Sequence, residues 1–87
     1  MAYSIRIKKS VEKDIRKIDK NSIVRIMEAI QSLEENPRPR QSLKLRDTES
    51  TYRLRVGEYR VIYQVDDKVK EVVIFHIRHR KNVYRSL

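Results

Sequence analysis

Arg53, Arg55 and Arg60 flank the dipeptide Gly57-Glu58 in a stretch that otherwise alternates apolar and polar residues. If that dipeptide closes a two-residue hairpin of type II′, with glycine first, Val56 stands opposite Tyr59, Arg55 opposite Arg60, Leu54 opposite Val61 and Arg53 opposite Ile62. One sheet face then carries Tyr52, Leu54, Val56, Tyr59, Val61 and Tyr63, and the other carries Arg53, Arg55, Arg60 and Gln64. Like charges opposed across an antiparallel pair cost about 0.2 to 1 kcal/mol, so an anion between Arg55 and Arg60 would convert a liability into a binding site. Phosphate has the charge and shape for that role. A lone arginine of this kind is ordinarily a solvated residue lying over aliphatic neighbours. Three that converge, with no acidic residue inside the paired strands, weaken that ordinary reading.

The segment from His76 to Arg85 adds Arg78, Arg80, Lys81 and Arg85, two histidines and Tyr84, and contains no carboxylate. Pairing Tyr63 with Val72 would send Val72, Ile74 and His76 to the apolar face and Phe75, Ile77 and His79 to the arginine face. His79 is then either an ordinary surface histidine or the candidate for moving a proton beside the arginines, because imidazole is the side chain that exchanges protons near neutral pH. His76 is expected to be a satisfied residue at the edge of the core. Two histidines three apart, with no carboxylate or cysteine ligand beside them, do not make a metal site, and none is expected. Nor does any serine have a histidine and an acid in a recognisable nucleophilic arrangement, and Glu34-Glu35 suit a solvated helix end better than a pair of catalytic carboxylates. The single glycine excludes a phosphate-cradling glycine loop.

These side chains need a scaffold, and its pattern is readable. Tyr3, Ile5 and Ile7 alternate with polar residues as a short strand does. Ser10 can then cap a short helix carrying Val11, Ile15 and Ile18 and ending near Asp19 to Asn21. Asn21 or Ser22 can cap a second helix whose apolar stripe is Ile23, Ile26, Met27, Ile30 and Leu33, stopped by Pro37. The remainder reads as strands: Leu43 to Leu45, Tyr52 to Val56, Tyr59 to Val65 and, after Asp66-Asp67-Lys68, Val69 to Ile77. The expected class is α+β, with an N-terminal strand, two helices and an antiparallel strand meander, the helices packed on one face of the sheet.

Eighty-seven residues without cysteine allow one domain over residues 1–87 and no disulfide framework. Lysines and arginines number 21 against 12 acidic residues, a formal net charge of +9, which calls for an anionic partner. The excess is concentrated: residues 1–37 hold 8 basic and 6 acidic side chains, residues 38–87 hold 13 and 6, so +2 against +7. The longest apolar run, Val72 to Phe75, is far short of the roughly 20 residues that span a bilayer. Basic residues of the first helix alternate with Glu12, Asp14 and Asp19, which blunts a membrane-surface role. A cytoplasmic protein without membrane attachment is expected.

The opening Met1-Ala2-Tyr3, the Leu43-Lys44-Leu45-Arg46 piece, Tyr52-Arg53-Leu54-Arg55-Val56 followed by Tyr59-Arg60-Val61-Ile62-Tyr63-Gln64-Val65, and Arg80 with Val83-Tyr84 together resemble the RelE branch of the RelE/ParE toxin superfamily over nearly the whole chain. The resemblance implies a toxin of a type II toxin-antitoxin system: a metal-independent endoribonuclease that cleaves messenger RNA in the ribosomal A site by 2′-hydroxyl attack, uses no cofactor, and is held by a RelB-like antitoxin. It implies catalytic positions at Arg53, Arg55, Arg60, Arg80 and Tyr84, with Arg78 the alternative to Arg80. Arg53 and Arg55 stand where the family pattern has lysines; a guanidinium stays charged and is a poor base, so the candidate proton acceptors are His79 and Tyr84 on chemistry and Arg55 by position alone. Arg53, Arg55, Arg60, Arg78, Lys81 and Arg85 would hold the RNA. The ParE branch, which shares the fold but inhibits DNA gyrase, and a non-catalytic relative that binds nucleic acid or antitoxin are the alternatives.

Overall fold

The structure, a computed structural model, describes residues 2–46 and 48–81. Its elements are β1 (Ser4–Ile7), α1 (Lys9–Ile15), α2 (Lys20–Ser32), β2 (Ser42–Lys44), β3 (Thr51–Val56), β4 (Tyr59–Asp66) and β5 (Glu71–His79). They form the expected α+β arrangement, with one sheet in the order β1-β5-β4-β3-β2. The last four strands are an antiparallel meander, whereas β1 joins the far edge parallel to β5, Ser4 beside Glu71 and Ile7 beside Ile74. The sheet is therefore mixed, a feature that the alternation of Tyr3, Ile5 and Ile7 does not encode.

Both helices start earlier than their serines and asparagine suggest. Lys8 occupies the N-cap of α1 with no side-chain cap, and Ser10 lies inside the helix, donating its hydroxyl to the carbonyl of Phe75. Asp19, not Asn21 or Ser22, caps α2: its carboxylate accepts from the Ser22 amide at 3.0 Å and the Ser22 hydroxyl at 2.8 Å. The second helix ends at Ser32 with Leu33 as C-cap, well before Pro37. Ile26, Ile30 and Leu33 enter the core, while Met27, on the flank of the stripe, is 36% exposed.

The core lies between the helices and one sheet face, built from Val11, Ile18, Ile26, Ile30 and Leu33 against Leu54, Val61, Tyr63, Val65, Val72, Ile74 and Ile77. Tyr63 is fully buried and its hydroxyl donates to the carbonyl of Pro37 at 2.7 Å, which ties the post-helical turn to the middle of the sheet. Among the described residues no helix is long and apolar enough to cross a membrane.

The β3–β4 hairpin closes as expected. Gly57 has φ +58, and Lys70 is the only described non-glycine residue with positive φ, so Glu58 does not share it, as a type II′ turn requires. A Cβ on Gly57 would sit 3.7 Å from the Arg25 guanidinium, an ordinary contact, so the backbone angle and not lack of space demands glycine. The β4–β5 connection differs from expectation. The Asp66 carboxylate accepts from the amides of Lys68 and Val69, and Lys70 turns the chain at φ +56, so β5 begins only at Glu71 and Tyr63 pairs with Ile74 instead of Val72.

A polar network fastens the opposite end of the sheet. Asp67 accepts from Arg38 Nη2 at 2.7 Å and from the Tyr3 hydroxyl at 2.6 Å, and Arg38 Nε donates to the Tyr52 hydroxyl at 2.8 Å. Hydrogen bonding to Arg38 and then Tyr3 holds the Asp67 carboxyl below the usual carboxylate range, as the Ser22 bonds do for Asp19. A depressed folded-state pKa contributes stability above the unfolded value and loses it as pH falls through the folded one. Melting temperature should therefore fall as pH drops below about 4, and fall less steeply in Arg38→Ala. An unchanged acid slope in that variant would assign the loss to other carboxylates.

Candidate nucleic-acid interface

Arg53, Arg55, Arg60 and Arg78 share the face of the sheet turned away from the helices, the candidate site. Arg55 pairs with Arg60, and Arg60 in turn with Arg78, so three arginines line up across β3, β4 and β5. Neighbouring strands lie about 4.8 Å apart, which places the three side chains within reach of one or two phosphates. In the adjacent row Arg53 pairs with Ile62, which pairs with His76, and Leu43 of β2 completes it beside Arg53.

Each of the central cations is held differently. Arg60 is only 8% exposed, and its Nη1 donates to the carbonyls of Gly57 and Tyr59 at 3.0 and 2.9 Å, so the hairpin turn itself anchors the guanidinium. Arg78 Nη1 donates to Asp14 Oδ1 at 2.7 Å. Arg55 is exposed and Arg53 partly buried. Arg80, which follows β5, donates its amide to the Glu58 carbonyl at 2.7 Å and its Nε pairs with the Glu58 carboxylate at 3.1 Å. Both partners of that pair are more than half exposed, so water screens it. Lys81 is exposed at the end of the described chain; Tyr84 and Arg85 lie outside the described residues.

The histidines exchange the places expected of them. Tyr63 pairs with Ile74 and Ile62 with His76, leaving Phe75 as an extra residue on β5. Such a bulge reverses the alternation beyond it. Val72 and Ile74 face the core as expected, but Ile77 follows them there, and His79 sits opposite Tyr59 with ring centroids 5.4 Å apart. There His79 borders a cleft of about 370 Å³ with Arg25, Asp19 and Ser22, across the sheet from the arginines. His76 joins the row of Arg53, 3.3 Å from Asp14 through Nδ1.

The far end of the same face has the opposite charge. Glu49, Asp66, Asp67 and Glu71 line an open depression there, with Arg6 and Lys68. A polyanion is thus drawn to the hairpin end and repelled from the other. Asp14 was the side chain of the site least visible in the sequence; its only signal is a spacing of four from Ser10, which puts both on one side of α1.

A mixed five-stranded sheet backed by two helices matches the fold of RelE-type toxins of the RelE/ParE superfamily. The chain belongs to the family described as the ParE toxin of the type II toxin-antitoxin system, parDE, whose model matches residues 5–84. Proteins named RelE or RelBE are among those it is similar to. It is 30% identical over 91 residues to a protein named RelE1 in Methanocaldococcus jannaschii, covering 99% of both chains. It is similar to a chain of the archaeal RelE-RelB complex from Pyrococcus horikoshii OT3, with TM-score 0.81, 36% identity and coverage of 92% and 97%. A chain of the toxin-antitoxin complex RelBE2 from Mycobacterium tuberculosis gives TM-score 0.80 and 28% identity, covering 92% and 100%.

Proposed function

We propose that this type II toxin blocks translation as a ribosome-dependent endoribonuclease that cuts messenger RNA in the ribosomal A site. The observation that carries the reading is the row Arg55, Arg60 and Arg78, in register across β3, β4 and β5. In the proposed reaction the ribose 2′-hydroxyl gives up its proton to water and its oxygen bonds to the adjacent phosphorus, while the bond to the 5′-oxygen breaks and that oxygen takes a proton from water, giving a 2′,3′-cyclic phosphate and a 5′-hydroxyl end. Charge gathers on the phosphorane oxygens, and guanidinium groups already fixed by the turn carbonyls and by Asp14 stabilise it without reorganising. Arg53 extends the phosphate contacts, Arg80 exchanges Glu58 for the leaving side of the phosphate, and Tyr84 orients a base by stacking.

Guanidinium does not take up the 2′-hydroxyl proton. His79, expected for that step, is turned to the other face and is not part of the proposal. With charge stabilisation as its main contribution, the protein relies on the ribosome to bring the 2′-oxygen in line. The route requires no metal ion held by the protein. A RelB-like antitoxin, the partner named in the complexes of the similar chains, is proposed to bind this toxin, its acidic side chains matching the arginine face.

Mapping RNA ends on programmed ribosomes tests the reaction. Binding to RNA should be steeply salt-dependent, each single-strand phosphate contact adding about 0.7 to the slope. Arg60→Ala should lower that slope by about one contact and Lys13→Ala, on the exposed side of α1, should leave it unchanged. A flat response to salt would remove the anionic partner.

A further inference from the structure

Asp14 reaches from α1 to β5 at the bulge and meets three groups there. Its Oδ2 accepts from the backbone amide of Ile77 at 3.0 Å and lies 3.3 Å from His76 Nδ1, while Oδ1 accepts from Arg78 Nη1 at 2.7 Å. The carboxylate is only 10% exposed. It stands where a strand would otherwise continue: β1 pairs with β5 only as far as Ile74, and the amide of Lys8 bonds the Ile74 carbonyl. Beyond that point the edge of β5 is finished by side chains of α1, Ser10 on the Phe75 carbonyl and Asp14 on the Ile77 amide.

This matters because of what the bulge decides. Without the extra residue at Phe75, simple alternation would turn Ile77 and His79 toward the arginine row and Arg78 toward the core. The two α1 contacts fall on that residue's own carbonyl and on the amide two residues later, and so hold the register that aligns Arg78 with Arg60. The same carboxylate restrains the guanidinium. It occupies one nitrogen of a five-donor fork, which leaves N–H groups of Arg78 to meet an anion from a fixed position.

We propose that Asp14 is a positioning residue for phosphate: it locks the bulge of β5 and aims the Arg78 guanidinium within the arginine row. The proposal rests on the reading of that row as the phosphate site. It differs from a stabilising role in one respect, that the effect of Asp14 on reactivity passes through Arg78.

The experiment uses Asp14→Asn, which keeps an oxygen able to accept from the Ile77 amide but loses the charge, alone and combined with Arg78→Ala. The readouts are the rate of cleavage on saturating programmed ribosomes, KM, and the rotation of the Arg78 guanidinium followed by its NMR signals. Asp14→Asn is expected to slow cleavage by about tenfold to 100-fold, the range in which a small misplacement of a catalytic group acts, with KM nearly unchanged. Slow guanidinium rotation in the wild-type protein should become fast. On the Arg78→Ala background the same substitution should add less than about twofold, since interacting residues are not additive. Full activity of Asp14→Asn with Arg78 still restrained would overturn the proposal, as would an equal loss with and without Arg78, which marks a purely structural carboxylate. If the wild-type protein leaves ribosome-bound RNA intact, the endonuclease reading falls, and the NMR comparison still decides whether Asp14 holds Arg78. Asp14→Ala, which strips the Ile77 amide of its acceptor, serves only to show how far folding depends on this contact.

Discussion

Replacing Arg78 by alanine is expected to slow cleavage of ribosome-bound messenger RNA at least about 100-fold while ribosome binding changes by no more than about threefold; loss of one preorganised donor to a developing oxyanion costs about 100- to 1,000-fold in rate. Register places Arg78 beside Arg60, in the same row as Arg55, and Asp14 fixes its guanidinium. Binding draws on many cations, so one fewer is a small change; stabilisation of the phosphorane draws on those in place at one phosphate. Arg80→Ala should lose less, about tenfold, because Arg80 is an exposed residue paired with Glu58 and must leave that partner to act. Single-turnover rates and ribosome affinities of the two variants side by side test this. A larger loss from Arg80→Ala would make Arg80 the principal C-terminal arginine and mean that the Glu58 pair opens on the ribosome.

The choice between those two arginines shows where reading residues in order reaches its end. The β3–β4 hairpin is legible because one glycine stands between two alternating stretches: a two-residue turn admits a single register, and Arg55 opposite Arg60 follows. Helix existence is legible for the same reason, apolar recurrence at three and four. The cap of α2 is less so, since Asp19, Asn21 and Ser22 all have the chemistry and only the geometry selects Asp19. The second half of β5 is not legible at all. Its bulge falls at Phe75, where no glycine, proline or polar residue interrupts the strand pattern, and it is held from outside by Ser10 and Asp14, more than sixty positions away. Strict alternation past that point would put His76, Ile77 and His79 on the wrong faces, although it holds for Val72 and Ile74. Parallel pairing of β1 is likewise a long-range choice, made when the helices carry the chain back across the sheet.

The same protein is expected to cut free RNA of identical sequence at least about 1,000-fold more slowly than RNA in the ribosomal A site, since an arginine site with no strong base gains most from having its substrate aligned by a partner. The proposed role of the arginine row is charge stabilisation of any phosphate that reaches it, but in free RNA the 2′-oxygen seldom lies in line with the leaving 5′-oxygen. Cut ends on the ribosome should carry 2′,3′-cyclic phosphate, the product that attack by the neighbouring hydroxyl leaves and attack by water does not. Equal rates on free and ribosome-bound RNA would mean that the protein aligns its own substrate, and a base on the arginine face would then have to be sought, beginning with His76. The family description names ParE, so the discriminating control is DNA gyrase supercoiling with the same preparation, freed of antitoxin. An arginine row built to hold a phosphate while a bond breaks predicts intact gyrase activity at toxin concentrations that clear ribosome-bound message. Gyrase inhibition with the message intact would select the ParE activity on this fold, and inactivity in both assays would leave a toxin-fold protein that binds without cleaving.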